Sequence, residues 1–423
     1  MSAPKSNLDL VNECDCFPYA EKDPKAHAEL MSTLYTLTWD DGVNKLPIGL
    51  MTENVLNKLI KTPVAVKGEL EVRRDQREVC VFQEKTEKER SEWVALTTAY
   101  WRENKEFEIL EGWRNELYPV YGPNNELLYN VERCAAALLG VVMYGAHMMA
   151  YVKSPESSHG IKLWIPRRSS DKQTYGGMLD NTVAGGMATG EDPFECIIRE
   201  ADEEASLPDK LVRENATAHG AVTYIYLRSK LATGEVGLIQ PEVQYVFDLE
   251  LPGNVAPKPN DSEVECFYLW TVEEVQEHMR KGEFKPNCAL LMLDFFIRHG
   301  ILTPENEPDF DEIKNLAMAN VVKQVRKCSF ATLSASSDIS PAFIVILAPI
   351  QRQGAGQNHV QWLADGTWKE LGVDVKGKGC LRVLGRCADS GHPVIFGMVD
   401  CRDGEVLIEQ LRVTGHARHL GGI

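Results

Sequence analysis

Residues 184–207, AGGMATGEDPFECIIREADEEASL, leave the chain little freedom in how they fold. Gly185, Gly186 and Gly190 permit a tight loop and a close backbone approach to a ligand. Asp192 then reads as a helix N-cap, with Pro193 in the first helical position and Glu195 three residues after the cap. The helix is expected to run to about Ser206. Phe194, Ile197, Ile198 and Ala201 give it an apolar face. Glu200, Glu203 and Glu204 stand at i, i+3 and i+4, so their carboxylates share another face. Such a face can simply be solvated. Two features favour a site instead: the preceding glycine loop, and Arg199, placed to orient a carboxylate. Hard oxygen ligands beside a tight loop suit Mg²⁺ or Mn²⁺ near phosphates.

The rest of the chain frames this segment. A length of 423 residues suggests two or three domains. With 44% hydrophobic residues there is ample material for a core. The net charge of -17 argues against non-specific binding to nucleic acid or anionic membranes. Residues 329–423 carry nine basic and nine acidic residues, so the whole imbalance lies before them. The 11 cysteines are scattered, without zinc-type spacing, and read as reduced thiols. The first 23 residues are acidic and lack an apolar leader stretch, so a cytoplasmic protein without a transit peptide is expected.

Three segments follow from patterning. Residues 1–130 read as an N-terminal α+β unit, with strands near 30–39 and 79–82 and helices over 52–60 and 87–104. In the last of these, Trp93, Leu96, Tyr100 and Trp101 are expected to pack together on one face. Residues 131–320 alternate strands with helices. Their uncharged stretch 134–152 is long enough to span a bilayer, but its glycines, His147 and tyrosines favour a buried helix end stopped by Gly140, then a strand. Strands are expected at 162–166, 221–227, 240–251 and 266–270, and helices at 271–280 and 289–299. Residues 321–423 read as an unrecognised, β-rich extension; the apolar run 342–348 within it is too short to span.

The 185–207 spacing resembles the Nudix box, G-x5-E-x7-R-E-U-x-E-E-x-G-U. Gly185, Glu191, Arg199, Glu200, Ala201, Glu203, Glu204 and Leu207 occupy its positions in order. Ser206 departs from it, where the family has Gly; a left-handed residue there costs of order 1 kcal/mol and removes no ligand. The wider chain, about residues 5–315, is similar to the fungal and plant Nudix proteins related to thiamine pyrophosphokinase. The segments that carry this are 10–19, 112–121, 162–186, 193–208, 241–252, 260–275 and 284–310. Gly176 departs from a proline expected there, which should loosen that turn.

The resemblance implies an α/β/α Nudix sandwich preceded by the α+β domain. It implies a Mg²⁺- or Mn²⁺-dependent hydrolase of phosphorus-containing anhydrides. Glu200, Glu203, Glu204 and the carbonyl of Ala184 would be ligands, with Arg199 holding the carboxylates and Glu191 the loop. Glu263 is preferred as the general base; Glu265 would share its face if the strand extends that far back, and a solvated surface is the rival reading for Glu263. Arg167, Arg168 and Lys172 are candidate phosphate contacts; Gln173, Tyr175 and Asp180 are candidate pocket residues, and Trp113 a candidate aromatic contact. The implied substrate is a small diphosphate, an oxidised thiamine diphosphate analogue cut to the monophosphate. The alternatives are another nucleoside diphosphate derivative such as ADP-ribose, or a phosphorylated-ligand binding module without turnover. The sequence assigns no oligomeric state.

Overall fold

The computed structural model describes residues 3–42, 45–122 and 125–317, together with six strands beyond residue 359. Compact units span Met1–Ser336 and Ser337–Ile423.

The first unit begins with helices α1 (Asn7–Cys14) and α2 (Pro24–Met31). Strands β1 (Leu34–Asp40) and β2 (Lys45–Thr52) form an antiparallel pair. Thr52 then caps helix α3 (Glu53–Lys61), its side chain accepting from the backbone of Val55. After the short α4 (Val64–Lys67), strands β3 (Leu70–Arg73) and β4 (Glu78–Val81) complete a four-stranded sheet of order β2-β1-β4-β3. Helix α5 (Glu87–Glu103) starts at a Thr86–Glu89 capping box and covers this half. Its buried residues are Arg90, Val94, Thr97, Thr98 and Trp101, whereas Leu96 is 52% exposed. Of the expected stripe, Trp101 lies in the core and Trp93 and Tyr100 pack half-buried against it; Leu96 alone stands outside. Polar side chains join this core because they find partners: Arg90 Nε donates to the Leu128 carbonyl, and the Trp101 indole donates to Thr62. Strands β5 (Leu117–Tyr121) and β6 (Leu127–Glu132) form a separate ribbon.

The uncharged stretch becomes α6 (Ala136–Leu139), ended by left-handed Gly140 (φ 59), and then β7 (Met143–Lys153). No helix among the described residues is long and apolar enough to cross a membrane. Strand β7 lies near the middle of a second, mixed sheet. It pairs in parallel with β11 (Ile239–Glu250), beyond which lies β10 (Ala216–Leu227). On its other edge, residues 145–148 pair with β9 (Val183–Gly186) and residues 151–153 with β8 (Ile161–Arg168). Strand β12 (Val264–Thr271) closes the order beside β8.

This sheet is covered on both faces. Ala146, Met148 and Ala150 pack against α7 (Pro193–Ala205) and α8 (Asp209–Asn215). The other face carries Met149, Val222 and Val246 beneath α9 (Val272–Arg280), α10 (Pro286–Arg298) and α11 (Phe310–Ala317). Leu10, Val11 and Cys14 of α1 join that same core. Each fully buried Leu, Val, Met or Phe contributes roughly 1.5–3 kcal/mol, which explains why α10, buried at nearly every position from Pro286 to Phe296, anchors the layer. The architecture is α/β, an α/β/α sandwich preceded by the α+β half.

The second unit contains the paired strands β13 (Val360–Ala364) and β14 (Thr367–Leu371). An antiparallel sheet follows: β15 (Asp374–Lys376), β16 (Cys380–Arg386), β17 (Pro393–Arg402) and β18 (Glu405–Ile408). The apolar run 342–348 lies outside the described residues.

Candidate active site

Helix α7 is built as its sequence dictates. The Asp192 carboxylate accepts from the Phe194 N–H at 2.8 Å, Pro193 opens the helix, and Ser206 ends it in the left-handed region (φ 52). Cys196, Ile197, Ile198, Ala201 and Ala205 are buried. The acidic edge meets β9, where the absence of a side chain at Gly185 is required: a β-carbon there would lie 2.1 Å from Glu200 Cδ. Glu204 accepts from the Ala184 N–H at 3.0 Å. Arg199 ties the cluster together, donating to Glu191 (2.8 Å), Glu200 (2.8 Å) and Glu203 (2.9 Å). The other oxygen of Glu191 accepts from the Ala188 N–H at 3.1 Å, so this side chain links the glycine loop to the helix.

One guanidinium serves three of these four carboxylates. Burial pushes the Glu200 carboxyl up to about 7, against the pull of Arg199. Burial, reinforced by the charge of Glu200, raises that of Glu204 well above the carboxylate range. Glu204 makes no ion pair with a cationic side chain among the described residues. Buried, under-compensated hard oxygens are a donor set that fits a small divalent cation.

The cluster forms one wall of a cavity of about 560 Å³. Lys172 and Glu263 pair with each other on its lining, and Arg114 stands 3.8 Å from Glu263. Burial would raise the Glu263 carboxyl; the Lys172 partner overrides it and holds the group below the usual range. Strand β12 starts only at Val264, and its register shifts between Val264 and Cys266. That bulge removes the shared face expected for Glu263 and Glu265: Glu263 lines the cavity, whereas Glu265 is exposed.

The other expected contacts divide. Arg168, Gln173 and Tyr175 line the cavity. Arg168 is already paired with buried Asp180 at 2.5 Å, and Asp180 lies behind the wall. Arg167 points away, donating to the Tyr268 hydroxyl and the Gly177 carbonyl. Trp113 is not on the lining; its indole donates to Asn115 and Arg102 covers its ring. The aromatic groups on the wall are Tyr118, Tyr144, Tyr175, Tyr224 and Tyr226. At the turn beyond Gly176, the Gly177 N–H donates to the Ser169 carbonyl at 3.3 Å.

A buried trio, His147, Asp180 and Cys288, also brings potential ligand atoms within 4.8 Å of one another. Its groups are already engaged. Asp180 pairs with Arg168 and accepts from the Cys288 thiol at 2.6 Å, while His147 Nδ1 pairs with Asn181 at 2.9 Å. A cation there would compete with Arg168, so the carboxylates of α7 are the better metal site. Sequence reasoning missed Arg114, Tyr118 and Arg133, which reach the cavity from the N-terminal half.

Residues 144–288 match the NUDIX domain model. That segment is similar to a Nudix domain. It contains the whole carboxylate cluster and Glu263. Residues 43–143, which supply Arg114, Tyr118 and Arg133, match a domain of unknown function, DUF4743. An uncharacterized protein of Saccharomyces cerevisiae is 43% identical over 229 residues, covering 53% of this chain and 64% of that protein. The chloroplastic Nudix hydrolase 20 of Arabidopsis thaliana is 38% identical over 210 residues, covering 49% of this chain and 53% of that protein. The chain thus covers under two thirds of the length of either relative. A crystal structure from Deinococcus radiodurans aligns with a TM-score of 0.30 at 21% identity, over 40% of this chain and 91% of that one.

Proposed function

We propose that the chain is a divalent-metal-dependent hydrolase that cuts the diphosphate of a thiamine diphosphate analogue, in an oxidised form, to the monophosphate and phosphate. The observation that carries the reading is the α7 cluster: Glu204, buried with no ion pair among the described residues, and Glu200, half-buried and held against Gly185, beside a cavity with cationic groups on its wall. The resemblance to Nudix proteins related to thiamine pyrophosphokinase supports the substrate class, and the name of the Arabidopsis relative supports hydrolysis.

Glu200, Glu203 and Glu204, with the Ala184 carbonyl, would hold Mg²⁺ or Mn²⁺. When bound there, such an ion would neutralise diphosphate oxygens and lower the pKa of water, lowering the barrier by several kcal/mol. The protein does the rest. Arg199 fixes the rotamers of Glu200 and Glu203, and Glu191 fixes the loop that bears Gly185. Lys172 and Arg114 draw the diphosphate toward the Glu263 side of the cavity. As Lys172 turns to the phosphate, Glu263 loses the partner that depresses its pKa and becomes the stronger acceptor for a proton from the attacking water.

The test is phosphate release with Mg²⁺ from oxythiamine diphosphate, thiamine diphosphate and ADP-ribose, side by side. Preference for oxythiamine diphosphate is expected. Preference for ADP-ribose, scored as AMP, would overturn the substrate assignment; no turnover of any diphosphate would overturn hydrolysis.

A further inference from the structure

The ribbon of β5 and β6, in the N-terminal half, is docked on the glycine loop that precedes α7. The Thr189 N–H donates to the Leu117 carbonyl at 2.9 Å, and the Thr189 hydroxyl donates to Asn130 Oδ1 at 2.5 Å. Gly186 closes the joint. A β-carbon there would lie 1.8 Å from the Tyr118 hydroxyl and 3.4 Å from Arg133 Cζ, so a side chain at this position would push β5 away.

This docking brings two donors to the cavity wall, Tyr118 from β5 and Arg133 from the residue after β6. The guanidinium stands 5.6 Å from the centre of the Tyr118 ring. Glu116 fixes it: the carboxylate accepts from Arg133 Nη1 at 2.7 Å, and the Glu116 carbonyl accepts from the Arg133 N–H at 2.8 Å. Gly185, the next residue along β9, bears on Glu200, and Arg133 and Glu200 feel each other's charge. Both donors therefore stand beside the α7 carboxylates.

Most other polar groups on this lining are already engaged. Arg168 is paired with Asp180, Lys172 with Glu263, and Arg199 with three carboxylates. Gln240 and Gln244 of β11 donate to Glu242 at 2.9 and 2.7 Å, and Arg228 donates to the Thr233 carbonyl at 2.7 Å. Arg133 makes one side-chain hydrogen bond among the described residues, through Nη1, and its side chain is 35% exposed on the lining. Its Nε and Nη2 donors are left for another acceptor. The Tyr118 hydroxyl, on a residue only 5% exposed, has no hydrogen-bond partner among the described residues. A guanidinium and a phenol that converge without an acceptor between them suit an anion with several oxygens.

We propose that Arg133 and Tyr118 form an anion subsite that holds one phosphate of the substrate. Arg133 and the Tyr118 hydroxyl donate to its non-bridging oxygens, beside the α7 carboxylates. The inference rests on the diphosphatase reading for the place of the phosphates. Its own claim is that the N-terminal half, outside the segment that matches the NUDIX model, supplies substrate-contacting residues of the active site.

The probe is methylenediphosphonate, a diphosphate analogue that resists cleavage, titrated by calorimetry into the full chain at saturating Mg²⁺. Arg133→Met should weaken its binding about 10- to 100-fold, the range for a lost charge-assisted hydrogen bond, and Arg133→Lys should recover part of the loss. Tyr118→Phe should weaken it about 3- to 10-fold, and serves if Arg133→Met does not fold. Mg²⁺ affinity measured alone should hold or rise in Arg133→Met, because a cation near Glu200 is gone. Probe affinity unchanged within about twofold in the folded variants overturns the subsite. So does a loss of probe binding matched by an equal loss of Mg²⁺ affinity, or an unaltered chain that does not bind the probe. Phosphate release from oxythiamine diphosphate separates the two readings. Probe binding that depends on Arg133, without release, would overturn the diphosphatase reading and leave the subsite standing. Release with equal kcat and KM in the unaltered chain and Arg133→Met would overturn the subsite and leave that reading standing.

Discussion

Glu200 occupies the space that a side chain at residue 185 would fill: a β-carbon on Gly185 would sit 2.1 Å from Glu200 Cδ. The loop and helix α7 are thereby fitted to each other at one point. Gly185→Ala should displace Glu200 without unfolding the domain, because the clash is with the end of a side chain. Turnover should fall by about 10²-fold or more, since misplacing a catalytic group by 1 Å has that effect. Steady-state kinetics beside a thermal melt would check it; an unchanged rate would mean that the carboxylate has room elsewhere.

Ser206 ends α7 at φ 52, ψ 31, where the Nudix pattern has Gly. A side chain in the left-handed region costs roughly 1 kcal/mol, and Ser206 is exposed. Ser206→Gly should therefore raise stability by about 0.5–1 kcal/mol and leave turnover unchanged. Denaturant unfolding reads the first quantity directly.

Asp248 on β11 accepts from Arg298 Nη2 (2.9 Å) and His299 (2.8 Å) on and beyond α10, with His219 at 3.2 Å. Burial would raise its pKa; these partners override it and hold the carboxyl well below the usual range. A depressed carboxylate contributes stability above its unfolded pKa, near 3.9, and loses it as pH falls below that value. Asp248→Asn should thus cost about 3 kcal/mol at pH 7, and the two stability curves should converge below pH ~4. Parallel curves down to pH 3 would contradict the pairing.

Lys172 holds the Glu263 carboxyl below its usual range. Removing that cation raises the pKa of a group that must be deprotonated to accept a proton. Lys172→Met should shift the acid limb of the pH–rate profile to higher pH and raise KM for the diphosphate. Glu263→Gln should flatten the same limb. An acid limb unmoved in both variants would exclude Glu263 as the base.

Much of the α7 wall was legible in the sequence because its contacts are local. Asp192, Pro193, Arg199, Glu200 and Gly185 lie within one loop and one helix, where spacing translates directly into geometry. The opposite wall was not legible. Arg114, Tyr118 and Arg133 reach the cavity through tertiary packing of a different half, and no local pattern announces it. Gln240, Glu242 and Gln244 show a plain period-two signal, but polar alternation in a strand reads equally well as a solvated face. Trp113 was misplaced for a related reason: aromatic character alone does not tell which side of a loop a ring faces. In α5 the period pointed to Trp93, Tyr100 and Trp101, which do pack on the core, but not to Arg90, Thr97 and Thr98, which join them because each finds a hydrogen-bond partner.

The most direct measurement is a Mg²⁺ titration of phosphate release from oxythiamine diphosphate, in the unaltered chain and in Glu204→Gln. Glu204 is buried, makes no ion pair among the described residues, and accepts only from the Ala184 N–H. The account predicts saturable Mg²⁺ dependence in the unaltered chain. In the variant it predicts weaker Mg²⁺ dependence on a folded protein and a rate lower by about 10²-fold or more, matching several kcal/mol of lost metal-assisted stabilisation. Phosphate release that is indifferent to Mg²⁺, or equal in the two proteins, would contradict it.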